Sequence, residues 1–216
     1  MADAAEAAPA PGDGSGRSAR VVLLGPPGSG KGTQAEVLSR ALGVAAISTG
    51  DMLREAVAAG TDLGRLVEGI MKSGALVDDE TMARVVRERL GRTGPGAGFL
   101  LDGYPRTLPQ AETLQEILGA AGSRLDAVLS VEVPEDELVR RAVARHRADD
   151  REEVVRERLR VYREKTAPLI GYYERLGLLR PIDGYRPVGE VTAQMMAALA
   201  GLASLAPLDR AAGVTA

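Results

Sequence analysis

One stretch, RVVLLGPPGSGKGT from Arg20 to Thr33, constrains the chain more than any other. Val21 to Leu24 form an aliphatic run too short for a helix and cut off by Gly25, which predicts a buried parallel strand. The glycine-rich turn that follows lets the backbone approach a ligand closely, with successive N–H groups directed at an anion. A helix starting near Lys31 adds its positive dipole end to the same place. Gly25 to Lys31 match the first seven positions of the phosphate-binding pattern G-x-x-x-x-G-K-[S/T], in which the lysine reaches the outer phosphates. Gly32 takes the hydroxyl position, and the hydroxyl moves to Thr33. A plain Gly-Pro turn would account for the composition but not for the order strand, loop, helix, so a nucleoside triphosphate site is the working reading.

The remaining composition narrows the class. With 216 residues, 45 % apolar and 26 % charged, the chain has room for one sizeable α/β domain. A net charge of −3 argues against a general nucleic-acid surface. The absence of cysteine excludes disulfides and thiolate zinc sites and fits a reducing cytoplasm. MADAAEAAPAPGDGSG is acidic and small-sided, unlike a signal peptide, and no apolar run approaches membrane-spanning length. A monomer in the cytoplasm, with no membrane and no nucleic-acid partner, is the expected state. Lysine occurs only at 31, 72 and 165 among many arginines, and Lys31 falls where the loop requires a point charge.

Residues 1–18 have no periodicity and are expected to be a disordered extension; a domain over 19–204 and a loose tail from 205 to 216 follow. Apolar spacing and capping residues predict helices over 34–42, from the Ser48/Thr49/Asp51 caps to about 59, from Thr61 or Asp62 to 73, and over 81–90. Strands are expected at 44–47, 99–102, 127–133 and 178–182, alternating with helices at 108–120, 134–145 and 188–202. A long helix over 151–175 contains Pro168, which should kink it near Thr166. Alternation of this kind predicts a parallel three-layer α/β sandwich.

Three further constellations carry chemistry. Ser48-Thr49-Gly50-Asp51-Met52-Leu53-Arg54 places an arginine one turn into a helix whose N-terminus attracts anions, a clamp for a second phosphate or simply a capped amphipathic helix. Asp102-Gly103-Tyr104-Pro105-Arg106-Thr107, with Gln110 after it, sets an aspartate at a strand end suited to the water shell of Mg²⁺, an arginine able to bridge phosphates, and an amide suited to a base edge. Arg140, Arg141, Arg145, Arg147, Asp149, Asp150, Arg151, Arg156 and Arg158 are in part a solvated helix face. Where Arg145-His146-Arg147 breaks the helices, they also suit an arginine-rich flap over phosphates, with Asp149 and Asp150 orienting guanidiniums. His146, the only histidine, reads as an exposed flap residue. A phosphate acceptor, whose second pKa is about 6, needs no general base. Met71 could line a base pocket, and Met52 reads as core.

Taken together, GPPGSGKGT, STGDMLR, FLLDGYPRT with Gln110, and RADD…RERLRVYREKTAPLIGYY resemble the adenylate kinase family, of the bacterial short-lid kind, over about Arg20 to Leu202. The displaced hydroxyl, G-K-G-T, is shared. The resemblance implies a P-loop NTPase fold with a five-stranded parallel sheet, a helical nucleoside-monophosphate insertion at about 48–77 and a short lid at about 145–151. It implies MgATP + AMP ⇌ 2 ADP, with ATP, AMP and ADP as the partners. Gly28, Ser29, Gly30, Lys31, Gly32 and Thr33 would hold the ATP phosphates, with Arg141 and Arg145 approaching ATP and the Arg186 region its adenine. Thr49, Arg54, Ala75, Leu76, Val77, Gly103, Tyr104, Pro105, Arg106 and Gln110 would hold AMP. Lys31, Arg106, Arg147 and Arg158 would be the catalytic cations, the last three at the transfer point and in reach of AMP, and Asp102 would contact Mg²⁺ through water. The short lid lacks cysteines, so no zinc is expected; His146 stands where short-lid relatives tend to have glycine, and Arg151 replaces the usual asparagine.

The nearest alternative is a kinase for UMP and CMP, but Thr49 and Gln110 favour adenine, because that relative resembles the motif with alanine and asparagine there. A non-catalytic nucleotide sensor would keep the loop and lose the arginine clamp, which this chain retains.

Overall fold

Arg20–Leu24 (β1) is buried at every position and lies between two neighbours, as a near-continuous apolar run in a parallel sheet requires. The computed structural model describes residues 19–94, 97–145 and 150–203. Among them five strands form one parallel sheet in the order β2-β3-β1-β4-β5, with β2 Ala45–Ser48, β3 Phe99–Asp102, β4 Ala127–Glu132 and β5 Leu179–Asp183. The helices are α1 Lys31–Leu42, α2 Thr49–Ala58, α3 Asp62–Ser73, α4 Asp79–Gly91, α5 Leu108–Ala120, α6 Glu135–Ala144, α7 Glu152–Val161, α8 Pro168–Arg175 and α9 Val188–Ala203. The expected three-layer α/β sandwich is the fold. The expected extension 1–18 and tail 205–216 lie outside the described residues, as do His146, Arg147 and Asp149.

Side chains alternate across a strand, so β1 feeds two cores. Val22 and Leu24 pack with Leu101, Val128, Leu114, Leu169 and Tyr173, while Val21 and Leu23 pack with Leu100, Leu129, Leu38, Val191 and Met195. Each such fully buried aliphatic side chain contributes roughly 1.5–3 kcal/mol. Leu138, Ala142, Val155 and Leu159 form a third cluster joining α6 to α7.

Local signals set the helix ends. Ser48, Thr61, Asp78 and Thr107 each accept a hydrogen bond from a backbone N–H in the first turn of α2, α3, α4 and α5. Pro168 does not simply kink a long helix. Tyr162–Thr166 widens into a π turn, closed by a bond from the Ala167 N–H to the Tyr162 carbonyl at 2.8 Å, and α8 starts directly at the proline. One extra residue in the turn accommodates a ring that would otherwise strike the carbonyl of Glu164. No helix among the described residues is long and apolar enough to cross a membrane.

Candidate active site

Chain direction changes sides at β1, since β2 and β3 lie to one side of it and β4 and β5 to the other. In an open parallel sheet that switch point leaves a crevice beyond the strand carboxyl ends. Gly25 to Gly30 leave β1 there and deliver the chain to the N-terminus of α1. Gly28 takes φ 85°, and a Cβ on it would meet the Leu138 carbonyl at 2.4 Å, so the loop can lie against α6 only with glycine at this position. Lys31 Nζ donates to the Pro26 carbonyl at 2.8 Å and to Ser29 Oγ at 3.3 Å, which folds the lysine back over the loop.

A cleft of about 970 Å³ opens over this loop. That volume lies at the upper end of the range for small-molecule sites, large enough for a nucleotide. Gly28, Ser29, Gly30, Lys31, Gly32, Thr33, Arg141, Arg145 and Arg186, the residues expected around a triphosphate, all line it. Arg141 is held in place by Glu137, which accepts from its Nε at 2.5 Å, and by the Gly184 carbonyl, which accepts from a terminal nitrogen at 3.0 Å. Asp150 is buried and accepts from Arg145 at 2.9 and 2.8 Å, and from Arg158 at 3.5 Å.

A second cavity of about 50 Å³ adjoins the first, between α2, α3 and the loop after β3. Of the residues expected around a monophosphate, Thr49, Arg54, Ala75, Leu76, Val77, Gly103, Arg106, Gln110 and Arg158 line it. Pro105 lines the larger cleft instead, and Tyr104 is buried in the core with its hydroxyl unpartnered among the described residues. Burial first, and the charge of Asp79 second, push the Tyr104 hydroxyl up to about 12. Met71 lines the small cavity; Met52 is partly buried against the core and also lines the large cleft. Gly103 adopts φ 83°, and a Cβ there would stand 2.7 Å from Thr49 Oγ1 and 3.1 Å from an Arg106 nitrogen. Thr49 Oγ1 donates to the Asp102 carbonyl at 3.3 Å, tying α2 to the same turn.

Arg106 and Arg158 line both cavities. The backbone of Arg106 is held at either end: its N–H donates to Gln110 Oε1 at 2.8 Å and its carbonyl accepts from Thr166 Oγ1 at 2.9 Å. Its Nε donates to the Gly103 carbonyl at 2.8 Å. Burial, followed by the charge of Arg158, lowers the guanidinium pKa; Asp102 opposes this and Arg54 adds to it. Lys31 sits in the same field. Desolvation pushes its amine down to about 8, Asp102 opposes the shift, and Arg106, Arg145 and Arg158 reinforce it. Neighbouring cations that lower the pKa values of Lys31 and Arg106, against the opposing charge of Asp102, form a site that favours a polyanion.

Asp102 ends β3 in the large cleft, and a Cβ on Gly32 would stand 3.9 Å from its Oδ2, so the carboxylate faces the phosphate loop. Among the described residues no three acidic or histidine side chains gather to hold a metal ion. One hard oxygen donor beside a phosphate cradle fits Mg²⁺, which keeps most of its waters and takes other ligands from substrate phosphates.

Sequence reasoning missed Asp79, Thr166 and Glu137. Thr166 had a partial signal in Pro168, whereas Asp79 offered only the pattern of a helix start. Arg147 lies outside the described residues.

A family model described as Adenylate kinase matches residues 23–178. An adenylate kinase of Thermobifida fusca is 51 % identical over 184 residues, covering 83 % of this chain and 97 % of the relative. That of Thermus thermophilus is 51 % identical over 183 residues, covering 83 % and 96 %. The adenylate kinase of Syntrophotalea carbinolica is 46 % identical over 211 aligned residues, covering 83 % and 98 %.

Proposed function

This chain belongs to the adenylate kinase family, and on that premise we propose that it catalyses MgATP + AMP ⇌ 2 ADP, with ATP over the phosphate loop and AMP reaching from the large cleft into the smaller cavity, which at about 50 Å³ takes only part of the nucleotide. The observation that carries the reading is the shared wall: Arg54, Arg106 and Arg158 line both cavities. Transfer between two phosphates needs positive groups at the boundary, where charge spreads over the moving phosphoryl group.

In this reading an oxygen of the AMP phosphate attacks the γ-phosphorus of ATP, and the bond from that phosphorus to the β,γ-bridging oxygen breaks. The acceptor, with a second pKa of about 6, is already mostly deprotonated, so no side chain has to remove a proton. Gly28 to Thr33 hold the donor phosphates, and Lys31 follows the transferred group. Arg141, Arg145 and Arg186 take the rest of ATP. Thr49, Arg54, the Ala75–Val77 segment, Gly103 and Gln110 hold AMP. Asp102 would hold Mg²⁺ through water, and the ion when bound neutralises charge on the β- and γ-oxygens. The helices over 48–77 serve as the acceptor-binding insertion. The segment 145–151, with Arg147, serves as a short lid.

The test is ADP formation with AMP, CMP, UMP and GMP as acceptors. AMP should be fastest. A pyrimidine nucleotide that outruns AMP would overturn the acceptor assignment, and ATP binding without AMP-dependent turnover would point to a sensor.

A further inference from the structure

Gln110 is 2 % exposed and lines the smaller cavity, yet both ends of its amide are already engaged. Oε1 accepts from the Arg106 N–H at 2.8 Å, and Nε2 donates to Asp79 Oδ1 at 2.8 Å. Asp79, the first residue of α4, also accepts at Oδ1 from Thr107 Oγ1 at 2.9 Å. Thr107 Oγ1 in turn accepts from the Gln110 N–H at 3.3 Å, which leaves its own hydrogen for Asp79.

A backbone N–H can only donate and a carboxylate can only accept. Turning the amide over would set N–H against N–H at Arg106 and oxygen against oxygen at Asp79. Its orientation is therefore fixed by chemistry, with one Nε2 hydrogen and one Oε1 lone pair to spare. The Watson–Crick edge of adenine offers an amino donor beside a ring acceptor; hypoxanthine and guanine offer a carbonyl acceptor beside a ring N–H. An amide free to turn over can serve either edge, whereas a locked one serves a single polarity.

We propose that Asp79 is a specificity-determining positioning residue, which with the Arg106 N–H holds Gln110 in the sense that accepts AMP and rejects 6-oxopurine nucleotides. The proposal rests on the reading of the small cavity as the AMP site. It predicts that Asp79 contributes to discrimination without touching the substrate.

IMP is the sharpest probe, because it differs from AMP only along this edge. Wild-type enzyme is profiled first; if AMP is not the preferred acceptor, the functional reading fails and this inference fails with it. Asp79→Ala should then lower the AMP/IMP ratio of kcat/KM by on the order of 10-fold or more, mainly by raising KM for AMP, with KM for ATP unchanged. Asp79→Asn, which retains an Oδ1 acceptor, should keep most of the discrimination. Asp79→Ser, whose hydroxyl stops one bond short of the Oδ1 position, should behave as Ala does and serves if the alanine variant does not fold. In a Gln110→Ala background, Asp79→Ala should no longer change the ratio. An AMP/IMP ratio within twofold of wild type in Asp79→Ala or Asp79→Ser, whether activity is intact or falls equally for all acceptors, overturns the proposal while leaving the functional reading in place.

Discussion

A lysine amine whose pKa is pushed down to about 8 is a charge that the free protein holds only against desolvation and neighbouring arginines. A triphosphate supplies the missing negative charge and should raise that pKa, so ATP should bind best to the protonated amine. The sign follows: affinity falls as pH rises through about 8, and binding there takes up a proton. Calorimetry between pH 7.5 and 9.5 in two buffers of different ionisation enthalpy would read this directly, and an affinity flat across that range would refute it. Lys31→Ala should abolish the proton uptake and lower turnover on the order of 10³-fold. At this scale the motif residues were legible because each role is set by near neighbours: Lys31 bonds to Pro26 and Ser29, five and two residues away. Asp79 was not legible. Its partners Thr107 and Gln110 lie 28 and 31 residues along the chain, a separation no local pattern carries.

Elements read from caps and breakers agree closely with the structure. Gly74 ends α3 at Ser73 with a left-handed residue, and α5 spans the expected Leu108–Ala120. The edge strand β2 shifts by one residue, from the expected 44–47 to Ala45–Ser48, because Ser48 still pairs in register with Asp102 although its side chain is polar. The π turn went unread because a proline signals a broken ladder without saying how the chain repairs it. That repair has a consequence: it leaves Thr166 buried, with its hydroxyl on the Arg106 carbonyl at 2.9 Å. Thr166→Val keeps the shape and removes the donor. It should destabilise the protein by about 1–3 kcal/mol through the orphaned acceptor. Denaturant midpoints check the stability loss, and kcat should also fall, since the arginine at the cavity boundary loses one of its two backbone anchors. Unchanged kcat and unchanged stability together would show that the link carries no load.

At the scale of the molecule, the order β2-β3-β1-β4-β5 decides everything about the site, and it was the feature least available beforehand. Alternating strands and helices imply a parallel sheet but do not say which strand is central. Placing β1 between β3 and β4 brings the phosphate loop, Asp102 and the loop after β3 to one crevice, with a large and a small cavity meeting at Arg106 and Arg158. Two nucleotides bound head to head there should behave as one ligand when joined. A mimic that links two adenosines through a polyphosphate bridge avoids the second association cost, so it should bind far more tightly than ATP or AMP alone. At a thousandfold excess over its Kd it adds about 4 kcal/mol of stability, which for a domain of this size is on the order of 10 °C in Tm. Arg106→Ala should cost the mimic more affinity than it costs ATP, because the bridge crosses both cavities while ATP fills one. A mimic that raises Tm no further than ATP, or whose affinity is indifferent to Arg106, would mean that the two cavities do not form a single reaction space.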